Sequence, residues 1–416
     1  MRLLLIPLVS LQLAAADADV KSRVRTVRNF AKQGVDAVSN IAPYLEDRDR
    51  SVRWEAVKAL AFLGGPRSMD PLLMASHDTD ERIQARAIIG VVNFYLPGYL
   101  KSALRSSGRL GSDTSDIIEQ HVVVREDVIR AFGRLAGGSG GATGRAHAAR
   151  ALGILRGQAA LHDLYTALRS KNDALLFESI LAVQKIRQIE SGPEVQFLLR
   201  DLKESVQIAA VETTGVLQNK AALPDLAEVL ERTKSTKVRR AALTAIALLP
   251  EASNRDLYAR YFTDRDEHLR GAAAEGYGRL RQSSDLGALE AAFHSEKKAG
   301  AKLSMAFACA MLGNQQTGQG SPLQHLVGTL RSRFYRDSAG PLLVELAQDA
   351  QVRQTLASMI PQSKKAEKIG IANVLGETGD GDNLPALEAL QRDSDQDAAQ
   401  AGLRAVRNIS ARTAAK

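Results

Sequence analysis

Apolar residues along this chain return at i, i+3 and i+4, in paired segments that repeat about every 31 residues. The second segment of each pair aligns best. It is expected to begin at Arg23, Arg53, Arg82, Arg125, Arg145, Leu176, Gln207, Arg239, Arg270, Lys302, Lys368 and Ala399. Eight positions on, the residue is small at Ala31, Ala61, Gly90, Gly133, Gly153, Gly215, Ala247, Gly278, Ala310 and Gly376. Gln184 and Arg407 break that pattern. One position earlier the residue is apolar, as at Leu60, Ile89, Leu152, Val183, Ile246, Cys309 and Leu375. Together these positions form a helical core seam. Glycine inside a helix costs about 1 kcal/mol relative to alanine. Its recurrence at one register therefore predicts close approach of stacked helices.

Capping residues agree with this register. Asp49, Asp78, Asn172, Ser235, Asp266 and Asp395 stand four positions before a start, where a side chain can accept from free helix amides. Pro193, Pro224 and Pro385 suit the opening turn of first helices, where a missing N–H is harmless. The expected fold is all-α, an α-solenoid of stacked antiparallel helix pairs. Such a pair cannot bury its apolar face without neighbours, and stacking creates extended surface rather than a catalytic cavity.

The period breaks at three places, which divide the chain. Residues 19–136 are expected to hold N-terminal repeats with an irregular loop at 96–116. Residues 137–144 (GGSGGATG) read as a flexible joint beside which a first helix is missing. Residues 145–313 hold regular repeats, and 314–321 form a polar linker. Residues 322–416 hold a degenerate repeat and the C-terminal repeats. The helices of the degenerate part are expected at Pro322–Phe334, Pro341–Gln348 and Val352–Ile360.

Residues 1–18 read as a secretory signal, the alternative being a buried first helix of the solenoid. Arg2 is followed by the apolar run Leu3–Leu13, too short to span a membrane comfortably, and Ala14–Ala16 offers a small-residue cleavage site. The expected location is therefore periplasmic or extracellular, and no transmembrane span is expected in the mature chain. The net charge of +8 is spread along 416 residues, so it biases only weakly toward anionic partners. Cys309 is the sole cysteine and lies in the seam, which makes it a buried small hydrophobe rather than a nucleophile.

Three segments, SVRWEAVKALAFLGG (Ser51–Gly65), KVRRAALTAIALLP (Lys237–Pro250) and HLRGAAAEGYGRL (His268–Leu280), resemble the HEAT repeats, particularly their bacterial form related to phycobilisome-lyase-like repeats. The resemblance covers nearly all of the mature chain. It is specific for fold and poor for function, because such repeats serve scaffolds, adaptors and a few enzymes. It implies that Arg53, Arg82, Arg239 and Arg270 form a structural ladder with acidic residues of neighbouring turns.

Chemical motifs are weak. Gly137–Gly141 formally matches G-x-S-x-G, but no strand pattern precedes it, as a nucleophile elbow requires. Asp393, Asp395 and Asp397 begin like a calcium loop. Ala398 and Arg404 then stand where that loop needs Gly and Glu, and capping accounts for the aspartates. The deoxyhypusine-hydroxylase type of HEAT enzyme holds iron through His-Glu pairs, and this chain has no His-Glu dipeptide. No catalytic residue, cofactor or metal site is expected. The expected activity is protein–protein interaction through the concave face of a superhelix. The alternatives are a bilin-lyase-like enzyme or chaperone, and a binder of anionic polymers; nucleic acid is not the expected partner. Trp54, the only tryptophan, together with Phe94, Tyr95 and Tyr99, forms a candidate partner-binding patch, since Trp and Tyr are frequent interface hot spots; the competing account is that they cap the end of the core or pack the irregular loop onto it.

Overall fold

Helices form here wherever a capped start precedes a one-sided apolar stripe. The computed structural model describes residues 6–105, 116–138 and 140–414, and gives the backbone alone for 6–18 and 104–105. The described residues are helical throughout, with no strand among them. Residues 6–18 of the expected signal segment continue as helix into the first repeat; Arg2, Leu3, Leu4, Leu5 and Ser139 lie outside the described residues. Among the described residues no helix is long and apolar enough to cross a membrane.

The chain divides into two units, Met1–Ile118 with Val122–Val195, and Glu119–His121 with Gln196–Lys416. The first contains α1 (Ile6–Ala31), α2 (Arg50–Leu63), α3 (Pro66–Ala75), α4 (Glu81–Tyr95), α5 (Tyr99–Arg105), α6 (Glu126–Gly137), α7 (Ala142–Ile154), α8 (Leu161–Ala167) and α9 (Asp173–Ile186). The second contains α10 (Glu204–Val216), α11 (Leu223–Arg232), α12 (Thr236–Ala247), α13 (Arg255–Tyr261), α14 (Glu267–Leu280), α15 (Leu286–Ser295) and α16 (Ala299–Met311). It continues with α17 (Pro322–Thr329), α18 (Arg336–Leu346), α19 (Ala350–Met359), α20 (Lys365–Thr378), α21 (Leu384–Leu390) and α22 (Gln396–Ala414).

In the first unit the second helices α1, α2, α4, α7 and α9 stack in that order. In the second, α10, α12, α14 and α16 stack in one run, and α20 packs on α22. The recurring glycine does what its register predicts. A Cβ on Gly153, Gly215 or Gly278 would lie 2.8 Å from the Cα of Ala182, Ala245 or Ala308 on the next second helix. Each glycine thus meets the small residue two positions short of its own register in the following repeat. Cys309 is fully buried in this seam, and burial pushes its thiol up to about 12.

Four expectations need correction. First, α4 is out of register by two. Asp80, not Asp78, caps it, accepting from the amides of Arg82 and Ile83. Gln84 then stands where Arg53 stands in α2: Gln84 donates to the Asp78 carbonyl as Arg53 does to that of Asp47. Gly90 misled the alignment because it packs back on Ala61, the reverse of the usual partnership. Second, Arg125 does not open a second helix. It precedes α6, which packs on α7 and α8 and is the first helix of its own pair, so no first helix is missing.

Third, the glycine-rich segment is packed closely on both sides of Ser139–Gly140. Gly137 ends α6, where a Cβ would lie 3.0 Å from the Asp163 carbonyl oxygen; Gly144, inside α7, lies against the Gln84 side chain. Fourth, between α16 and α20 three helices do occur, but Pro341 is inside α18 rather than at its start. There α17 packs on α16, α18 touches both α16 and α20, and α19 packs on α20.

Candidate functional site

The arginine ladder is present in part. Arg53 pairs with Asp78 at 2.8 Å and Arg270 with Glu296 at 2.8 Å, each also donating to carbonyls of its own preceding turn. Arg239 donates to the Thr233 carbonyl, while its neighbour Arg240 reaches Asp266. Lys368–Asp393 and Arg353–Asp380 extend the same arrangement toward the C-terminus. These long links tie each helix start to the next turn. Arg82 is not among them, because the two-residue shift of α4 gives its place to Gln84. The carboxylates of the calcium-like segment are engaged elsewhere: Asp393 with Lys368, Asp395 and Asp397 with Lys365, and Asp395 also in capping α22.

Released from the ladder, Arg82 turns to Trp54. Its guanidinium lies 5.2 Å from the Trp54 ring centroid, and that of Arg86, one turn further along α4, lies 5.3 Å from it. Cations at this range are attracted to the ring quadrupole by roughly 0.5–1 kcal/mol each where partly solvated. Arg86 is half-buried, and burial alone pulls its guanidinium below its ordinary value. Neither arginine has a carboxylate partner among the described residues. On the other side of Trp54, Arg28 of α1 and Lys58 of α2 both pair with Glu55, at 3.0 and 3.2 Å. The Glu55 carboxyl is held low first by its bond from Arg28. Trp54, Lys58 and Phe62 follow one another at four-residue spacing along α2, and Phe62 is 80% exposed.

The other expected patch residues do not join Trp54. Tyr95 is buried, its ring in edge contact with Phe94 and its hydroxyl accepting from the Arg125 amide at 3.2 Å. Tyr99 is buried in α5, where loss of solvent pushes its phenol up to about 12 despite a bond from Arg150. Only Phe94 keeps exposed surface, so the aromatic run serves chiefly to pack an insertion. Asn93 starts that insertion by accepting from the amides of Gly98 and Leu100.

The insertion then covers part of the second-helix surface. Its residues Tyr99, Leu100, Ala103 and Ile118 are all buried. Ile118 donates its amide to the Ile154 carbonyl of α7 at 3.0 Å, and Lys185 of α9 donates to the Asp116 carbonyl at 2.8 Å. Beneath it Arg150 and Glu178 form an ion pair at 2.8 Å with side chains 10% and 2% exposed. His147 is buried beside them, and burial, with Arg150 nearby, pulls its imidazole down to about 4. The sequence hid this network because its members come from three helices and an irregular segment. Arg86 was equally hidden, since it follows no repeat position.

The second unit has polar clusters of its own. Arg279 is 9% exposed, pairs with Glu275 and Glu345, and lies 4.9 Å from the Phe307 ring centroid. Within the same unit Glu119, Gln120 and His121 lie along α22, held by Asn408 and Arg412 at 2.6–2.9 Å.

Comparison with known proteins finds HEAT repeats in part of the chain. The model for HEAT repeats matches residues 8–91 and 223–310. Among solved structures, the chain is similar to the complex of CpcE and CpcF of phycocyanin lyase from Nostoc sp. PCC7120, with 17% identity, 70% of this chain and 92% of that chain covered, and a TM-score of 0.34. It is similar to an engineered protein, with 15% identity, 90% and 98% coverage and a TM-score of 0.34. It is also similar to human deoxyhypusine hydroxylase, with 17% identity, 68% and 96% coverage and a TM-score of 0.29. No curated protein matches it in sequence.

Proposed function

We propose that this chain, whose residues 8–91 and 223–310 match HEAT repeats, is an exported, non-catalytic scaffold that captures a protein partner on the second-helix face of its N-terminal repeats. The observation that carries this reading is the state of Trp54. It is the sole tryptophan, it stays partly exposed between Arg82 and Arg86, and Phe62 extends its apolar surface along α2. Large rigid aromatics flanked by arginine are the side chains that most often carry interface energy. Export rests on the charged and apolar order of residues 2–16.

The test uses the full chain with a C-terminal tag, expressed in its own cells and captured from the envelope fraction. One stoichiometric protein partner is expected, retained at high salt and lost with Trp54→Ser. N-terminal sequencing of the captured chain is expected to begin near Asp17 or Asp19. A partner retained equally by Trp54→Ser overturns the site. A chain found only in the cytosol with residues 1–18 intact overturns export.

A further inference from the structure

We infer that the Arg82–Trp54–Arg86 cluster recognises an acidic segment of a protein partner, with a carboxylate held by the arginines and an apolar side chain set on Trp54 and Phe62. This inference deepens the scaffold reading and rests on it. The argument is one of charge complementarity. Two cations, Arg82 and Arg86, lie over the Trp54 ring, and neither pairs with a carboxylate among the described residues, whereas Arg28 and Lys58 share Glu55, the residue after Trp54.

The two cations on the α4 side are the ones free to act. Arg28 and Lys58 are already engaged by Glu55, whereas among the described residues Arg82 and Arg86 have only the ring face. Stacking on indole holds each guanidinium plane in place while leaving its N–H groups for a ligand. A carboxylate suits that geometry because it can accept two parallel bonds from one guanidinium. Arg86 is also partly desolvated without compensation, so an incoming anion would relieve a cost the fold already carries. Glu81, the nearest acidic neighbour in sequence, is turned toward Gly141 at the start of α7, where it suits the helix N-terminus.

The extent of the patch favours a peptide over a polyanion. A charged polymer needs cations along its length. On α7 and α9, Arg150 is paired with Glu178 and largely buried, so it does not extend the patch. Apolar surface from Trp54 and Phe62 lies inside the charged area, which suits a segment mixing acidic and apolar side chains.

Trp54 being the only tryptophan, its fluorescence reports this site directly. The full chain would be titrated with a synthetic peptide alternating Glu with Leu and Phe, with the same peptide carrying Lys for Glu, and with polyphosphate. The acidic peptide is expected to change Trp54 emission saturably. Arg86→Gln is expected to weaken it about tenfold or more, as loss of a charge-assisted bond does. Arg86→Lys should weaken it less, and the Lys peptide should give no saturable change. Absence of saturation with the acidic peptide, or equal affinity for Arg86→Gln, overturns the inference. Polyphosphate binding more tightly than the peptide also overturns it, in favour of an anionic polymer. If the envelope partner is still lost with Trp54→Ser while the acidic peptide fails, the chemistry assigned here falls and the scaffold site stands.

Discussion

Two stretches of second-helix surface within one unit meet opposite fates. On α2 and α4, Trp54 and its arginines stay partly accessible, and among the described residues Arg82 and Arg86 have no counter-charge. On α7 and α9 the same layer is roofed by the insertion, and its charge is neutralised inside as Arg150–Glu178. Both began from the same repeat, with a buried stripe against the first helices and polar residues opposite. What separates them is the segment after α4. Its Tyr99 and Ile118 are buried, Ile118 bonded to Ile154 of α7, and the charges beneath must pair because an unpaired ion there loses its hydration. Where no roof exists, an unpaired arginine is tolerated and remains available.

The sharpest way to break this contrast is to remove the covered charge pair. Arg150→Met leaves Glu178 buried without its cation and is expected to cost about 3–5 kcal/mol. Urea unfolding would measure it; a loss below about 1 kcal/mol would mean that solvent reaches the pair and the roof is not closed.

Acid should distinguish the two surfaces next. An ordinary histidine titrates near 6.5, whereas His147 is pulled down to about 4 in the folded chain. Between those values the unfolded chain binds a proton that the folded chain refuses. Stability from this group is therefore full above pH 6.5 and falls as pH drops toward 4, by a total of about 3 kcal/mol. Comparing urea midpoints at pH 7 and pH 4.5 should show that fall, and His147→Gln should flatten its own share of it. An unchanged slope in the variant would place His147 in contact with water.

The open surface should be the least sensitive. Phe62→Ser removes a ring that is 80% exposed and is expected to change stability by no more than about 0.5 kcal/mol. A thermal melt checks this. A drop of several degrees would mean that Phe62 packs against something, and the open surface would be smaller than described.

The repeat was legible because it rests on local rules that every copy obeys. Capping by Asp49, Ser235 and Asp266, and the glycines that meet Ala182, Ala245 and Ala308, could be found by alignment alone. The shift in α4 was not legible. Both the +6 and +8 positions are small, so Gly90 satisfied the wrong frame, and only the packing on Ala61 separates the two. That one error carried Arg82 into the ladder and away from Trp54. The aromatic run left two readings open, since Tyr95 and Tyr99 look alike in sequence whether they face a partner or the core, and their burial decides for packing.

The sequence by itself determined the helices, their stacking order and the buried place of Cys309, because periodicity and capping act over a few residues. Only the tertiary structure decided which charges are satisfied. That depends on which surfaces the irregular segment covers, and burial of a charge is a property of everything packed around it. Tyr99 was closed in beside Arg150, and Trp54 was left open beside Arg82 and Arg86.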